Sequence, residues 1–215
     1  MDGGIRTLTI ACGALAREIV ALKRLNGWDT LDIECLPPDL HNRPERIPAA
    51  VKAAIDGARA RYEHIFVAYA DCGTGGQLDA LLKVEGIERL PGAHCYEFFA
   101  SAETFAALHD AEPGTFYLTD FLVRHFERLV IQGLGLDRHP ELAQQYFANY
   151  KRVVYLAQLE DAALSAAAEK AAARLNLAYE RRLTGYGELK GSLEHAVAVP
   201  LASLKHRKEP VSWPR

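Results

Sequence analysis

Cysteine and histidine recur along this chain as Cys12, His41, Cys72, His94 and Cys95. Thiolate sulfur and imidazole nitrogen are donors that suit Zn²⁺, and a catalytic zinc keeps three protein ligands plus an open position for water or substrate. Iron, cobalt or nickel would accept the same donors. The spacing is too scattered for a zinc finger, and with no C-x-x-C pair the thioredoxin reading loses its support. Chemistry shared among these residues therefore requires a fold that gathers them. The expected metal ligands are Cys12, His41, Cys72 and Cys95. His94, Asp71 and Glu97 are the expected catalytic groups, placed to orient ligands or carry a proton. Without a metal, Cys72 or Cys95 would serve as a nucleophile with His94 or His41 as base.

The elements that must position these residues read as strands alternating with helices. Thr7 to Ala11 is short, apolar and β-branched, and Cys12-Gly13 follows it directly. A helix then carries Leu15, Ile19 and Leu22 on one face and stops at Asn26-Gly27. A second strand, Leu31 to Leu36, ends at Pro37-Pro38; a helix with Ile47, Val51 and Ile55 follows, led by Pro44. The unalternating run Ile65 to Ala70 predicts a central parallel strand, and a short strand is expected near Ile87 to Leu90. Cysteine or histidine thus follows four successive strands on one predicted edge, the carboxyl edge where open parallel sheets bind ligands. Cys35 differs: it lies inside its strand and is expected in the core as a small hydrophobe.

The turn Asp71-Cys72-Gly73-Thr74-Gly75-Gly76 opens a helix, where backbone N–H groups favour anions. Gly13, Gly73 and Thr74 are accordingly the expected cofactor-binding positions, although the lysine of a P-loop and the full G-x-G-x-x-G are missing. A tight strand-to-helix turn explains the same glycines without any ligand. Tyr69, Tyr117 and Thr119 are the expected substrate contacts, with aromatic core as the plainer account of Tyr117.

The middle, about 101–150, reads as a mostly helical insertion broken by Glu112-Pro113-Gly114-Thr115 and by Gly133-Leu134-Gly135. Arg152 to Leu156 is another buried strand, an alanine-rich helix follows over about Leu159 to Leu175, and weaker strands are expected near Leu177-Arg181 and Ala196-Pro200. The expected fold is α/β: an open, mostly parallel, doubly wound sheet with helices on both faces and a helical insertion in the middle. It forms a single domain over 1–204 with a polar tail at 205–215.

Composition bounds the function. With 215 residues the chain can bury a large core, and 25 basic against 28 acidic side chains (net charge −3) leave no broad basic surface for nucleic acid. No stretch approaches the roughly 18 consecutive apolar residues of a membrane span, and the amino terminus is no signal peptide, so a soluble cytoplasmic protein is expected. Four cysteines are too few for a disulfide scaffold. The 49% apolar content leaves room for a homo-oligomer interface.

Five short motifs taken in order, Ala11-Cys12-Gly13, Leu40-His41, Tyr69-x-Asp71-Cys72-Gly73, His94-Cys95 and Pro113-Gly114-Thr115-x-Tyr117, resemble the domain-of-unknown-function family numbered 1638. The resemblance runs from the first strand to the last and is weakest over the final stretch of the chain. It implies a single α/β domain of bacteria and archaea with its site at these Cys/His positions. Similar proteins are often encoded near corrinoid-dependent methyltransferases, which implies one-carbon or methylamine metabolism and a methyltransferase or corrinoid protein as partner. The sequence itself carries no corrinoid motif. The expected function is a metal-dependent enzyme, zinc first, performing methyl or one-carbon transfer or hydrolysis on a small nitrogen- or sulfur-containing metabolite. A non-catalytic metal- or corrinoid-binding accessory protein and a metal-free cysteine enzyme stay open beside it.

Overall fold

A computed structural model describes residues 6–207, of which 199–207 by the course of the backbone. Of the tail expected over 205–215, residues 208–215 lie outside the described ones. The chain forms two compact units. The first takes the chain up to Pro37, Glu45–Pro91 and the chain from Leu189; the second takes Pro38–Pro44 and Gly92–Glu188.

The first unit holds a four-stranded sheet of order β2-β1-β3-β4, with β1 Thr7–Cys12, β2 Leu31–Leu36, β3 His64–Ala68 and the two-residue β4 Glu88–Arg89. Every pairing is parallel, with Cys12 opposite Leu36 on one side of β1 and Ala11 opposite Ala68 on the other. All six residues of β1 are buried, as an unalternating strand between two neighbours must be. Helices α1 (Ala16–Asn26), α2 (Ile47–Ala58) and α3 (Gln77–Glu85) carry the chain between strands. The apolar spacings seen in sequence are the buried ones: Ile19 and Leu22 on α1, Ile47, Val51 and Ile55 on α2. Gly27 ends α1 in the left-handed region (φ 63), and the Trp28 N–H donates back to the Lys23 carbonyl, which closes the helix end.

In the second unit a three-stranded parallel sheet, order β5-β6-β7, comprises β5 Thr115–Thr119, β6 Arg152–Ala157 and β7 Ala178–Leu183. Around it run α4 (Glu97–Ala100), α5 (Ala102–Ala111), α6 (Asp120–Arg124), a π-helix (Glu127–Gln132), α7 (Leu142–Tyr146) and α8 (Ala162–Arg174). Alternation along the strands divides its core. Leu118, Val153 and Tyr155 pack with Phe126, Ile131 and Ala168, while Tyr117, Val154 and Leu156 pack with Ala100 and Leu108. The Asp161 carboxylate caps α8 by accepting from the N–H groups of Ala163 and Leu164.

Three expectations are corrected. The strands form two separate sheets, because no pairing joins β4 to β5, rather than one continuous doubly wound sheet. The middle stretch is mostly helical and also contains β5, whose buried Tyr117 and Leu118 begin the second sheet. Ala196–Pro200 is not a strand but part of α9 (Leu189–Arg207), whose Leu189, Leu193 and Ala196 are buried at helical spacing. Cys35 is exposed rather than core, since β2 is the edge strand of its sheet. Among the described residues, no helix is long and apolar enough to cross a membrane.

One polar group in the first core stands out. Thr9 is fully buried in the middle of β1, and its hydroxyl has no hydrogen-bond partner among the described residues. A fully buried aliphatic side chain contributes roughly 2 kcal/mol, so the buried apolar residues of the sheet, Ile10, Leu31 and Val67 among them, outweigh this single penalty. Replacing Thr9→Val removes the orphan hydroxyl at nearly constant shape and is expected to stabilise the protein by about 1 kcal/mol in denaturant unfolding. A loss of stability would mean that the hydroxyl is satisfied.

Candidate functional site

The chain runs from β1 to β2 on one side and then crosses to β3 on the other, so the strand order reverses between β1 and β3. In open parallel sheets, ligands bind beyond the carboxyl ends of the strands at such a reversal. Cys12 is the last residue of β1, and Cys72 lies in the loop that leaves β3. Both are about 4% exposed, beside the fully enclosed Tyr69. The Ala14 amide and the Tyr69 hydroxyl favour the Cys12 thiolate, and Cys72 lies within electrostatic reach of it. Burial nevertheless dominates and pushes the Cys12 thiol up to about 11, so in the metal-free protein it is neutral at pH 7.

The loop after β3 is unusual in its backbone. Cys72 itself adopts φ 49, and Gly73, Gly75 and Gly76 share the left-handed region. A cysteine there is strained, and such outliers gather at functional sites. Asp71 holds the loop together. Its carboxylate accepts from the Thr74 hydroxyl (2.5 Å) and from the Gly75 and Gly76 amides (3.1 and 2.9 Å). The amides of a would-be phosphate cradle are thus taken up by a side chain of the same loop. The Thr74 hydrogen bond, then the glycine amides and Arg89, hold the Asp71 carboxyl below its usual range, so it is ionised at neutral pH and shapes the turn. Thr74 is buried, and Gly13 opens the 3₁₀ turn Gly13–Leu15 after Cys12.

Arg89 escaped the sequence reading. It ends β4, pairs in bidentate fashion with Asp79 (2.6 and 2.9 Å), and places its charge within reach of Cys72 and Asp71. The signal for it in sequence was only its place at the end of a strand.

The second unit gathers a different set. His41 lies in the 3₁₀ turn Pro38–Asn42, and His94 and Cys95 precede α4. His94 stacks on Tyr96 (centroids 4.9 Å apart, planes at 12°), and Tyr96 on Tyr117 (5.3 Å, 20°), with Phe105 against both tyrosines. Cys95 is buried. The His41 imidazole is solvent-accessible, yet surrounding protein lowers its pKa and the nearby His94 lowers it further. Glu97 accepts from the Ala93 amide (3.0 Å) and fills the space a Cβ at Gly92 would need, so it shapes the turn before α4. Thr119 caps α6, its hydroxyl accepting from the Leu122 amide (3.3 Å). Among the described residues, no group of three or more His, Cys, Asp or Glu side chains is placed to hold a metal ion. A second residue missed in sequence is Asp120, buried at the end of β5. It accepts from the Tyr155 hydroxyl (2.6 Å) and the Gln158 amide (3.0 Å), while its own N–H donates to Gln158 Oε1 (2.7 Å).

The family model described as "Protein of unknown function (DUF1638)" matches residues 35–193, well over half of the chain. The chain belongs to the DUF1638 family. The DUF1638 match takes in His41, Cys72, His94 and Cys95; it begins inside β2, so β1 with Cys12 and Gly13 lies outside it, a shorter reach than the resemblance from the first strand. No curated protein and no solved structure matches the chain.

Exposure and thiol acidity separate the cysteines. Iodoacetamide at pH 7.5 is expected to modify Cys35 in the native protein and to leave Cys12 unmodified until the pH nears 11 or the chain unfolds, as read by peptide mass mapping. Cys12 labelling at the rate of Cys35 would contradict this geometry.

Proposed function

We propose that this chain is a metal-dependent enzyme, with zinc the foremost metal, that transfers a methyl or one-carbon group or hydrolyses a bond in a small nitrogen- or sulfur-containing metabolite. One observation supports the reading: Cys12, at the carboxyl end of β1, lies within electrostatic reach of Cys72 in the loop that leaves β3, where the strand order reverses. Two thiolates from one unit would leave positions on a tetrahedral ion for water or for the substrate's own sulfur or nitrogen, which is where Lewis-acid activation acts. Metal binding would displace the protons of the two thiols, which suits a site whose Cys12 is otherwise held neutral. Four cysteines outside any disulfide suit a reducing, cytoplasmic setting. A methyltransferase or corrinoid protein as partner rests on the resemblance alone.

A metal-free cysteine nucleophile is the second reading, favoured by the charge of Arg89 near Cys72, which stabilises a thiolate there. Elemental analysis of protein purified without chelators decides between them. Wild type and Cys35→Ser are expected to carry stoichiometric metal and Cys72→Ser to lose it, with a sulfur-to-metal charge-transfer band on cobalt substitution. Metal-free wild type, or metal retained in Cys72→Ser, overturns the metal reading.

A further inference from the structure

The segment Pro38–Pro44 follows β2 in sequence but belongs to the second unit, and its anchorage explains how His41 is held. The π-helix Glu127–Gln132 is the key. Where it ends, the Gly133 N–H donates to the Arg128 carbonyl, five residues back, and the next N–H, Leu134, donates to Val130, four residues back. The change of register skips the Leu129 carbonyl. A buried carbonyl without a donor is costly, and the donor that fills the gap is a side chain: Asn42 Nδ2 donates to Leu129 O at 3.3 Å. Gly133 makes the approach feasible, since a Cβ there would overlap the Leu129 oxygen and stand 2.7 Å from Asn42 Nδ2. A second tie, the Arg128–Asp39 ion pair (2.6 Å), fixes the same segment; both partners are largely exposed, so it is the weaker of the two. π-Helical turns recur at functional sites because their skipped register frees backbone groups for such uses.

We infer that Asn42 is a positioning residue: its amide occupies the carbonyl skipped by the π-helix and thereby holds His41 within reach of His94. The anchorage stands on hydrogen-bond geometry by itself. Its bearing on catalysis rests on reading His41 and His94 as site residues, as the sequence pattern of cysteines and histidines does.

The test is aromatic-ring NMR on the full-length protein at one fixed pH, with His41 and His94 assigned through His41→Gln and His94→Gln. In the wild-type background, His94→Gln is expected to shift the His41 ring signals. In Asn42→Ala and in Asn42→Asp, which keeps the size but cannot donate, His41 signals are expected to move toward those of a free surface histidine and to lose their response to His94→Gln. Gly133→Ala is expected to reproduce this from the socket side; should it fail to fold, Asn42→Asp carries the comparison, because it disturbs no packing volume. Undiminished coupling of the two rings in Asn42→Ala and Asn42→Asp overturns the inference. Metal content is read separately at Cys12 and Cys72, so loss of the metal reading and loss of this one give different results.

Discussion

Because parallel strands cannot be joined by a tight turn, each strand in both units must return through a crossover before the next begins. That constraint sorts the loops. Those leaving carboxyl ends collect on one edge of each sheet, and those entering amino ends on the other. Cys12 and the Asp71–Gly76 loop share such an edge in the first unit, and Asp120 and Gln158 share one in the second. The difference lies in what fills each edge. In the second unit one oxygen of a buried carboxylate accepts from a tyrosine hydroxyl and a glutamine backbone N–H across β5 and β6, and its other oxygen has no partner among the described residues. In the first, Cys12 and Cys72 lie within electrostatic reach of each other where the strand order reverses, and sulfur makes only weak hydrogen bonds.

Two of the carboxylates expected in the site, Asp71 and Glu97, hold the backbone of the turns next to them. Asp71 accepts three hydrogen bonds from its own loop, and Glu97 closes the turn behind it. The bonds to Asp71 stabilise its carboxylate as the anion. What these side chains contribute is the shape of the turn in which Cys72 sits and of the turn that precedes α4.

How far this was legible in sequence depends on which residues are asked about. Strand-ending cysteines were readable because an apolar run that stops at Cys-Gly marks a carboxyl end with no further information. Edge position was not readable: β2 alternates like a half-buried strand in any sheet position, so Cys35 looked like core. Two sheets looked like one because no Gly/Ser-rich or charged stretch separates Arg89 from Thr115, and continuity of sheet is settled by pairing, which leaves no local mark. The helix over Leu189, Leu193 and Ala196 was legible by spacing but lost to the apolar run that follows. Asn42 was beyond reach, because its partner exists only once the π-helix skips a carbonyl.

The left-handed backbone at Cys72 has an evolutionary consequence. An L-residue with a Cβ is disfavoured there by about 1–2 kcal/mol relative to glycine, which surrounds it in the chain at Gly73, Gly75 and Gly76. Drift under selection for stability alone would replace this cysteine with glycine or asparagine, by single steps that relieve strain. Its persistence in a lineage would therefore measure a selective demand other than folding, and among descendants the identity of this one position would record whether that demand is still in force.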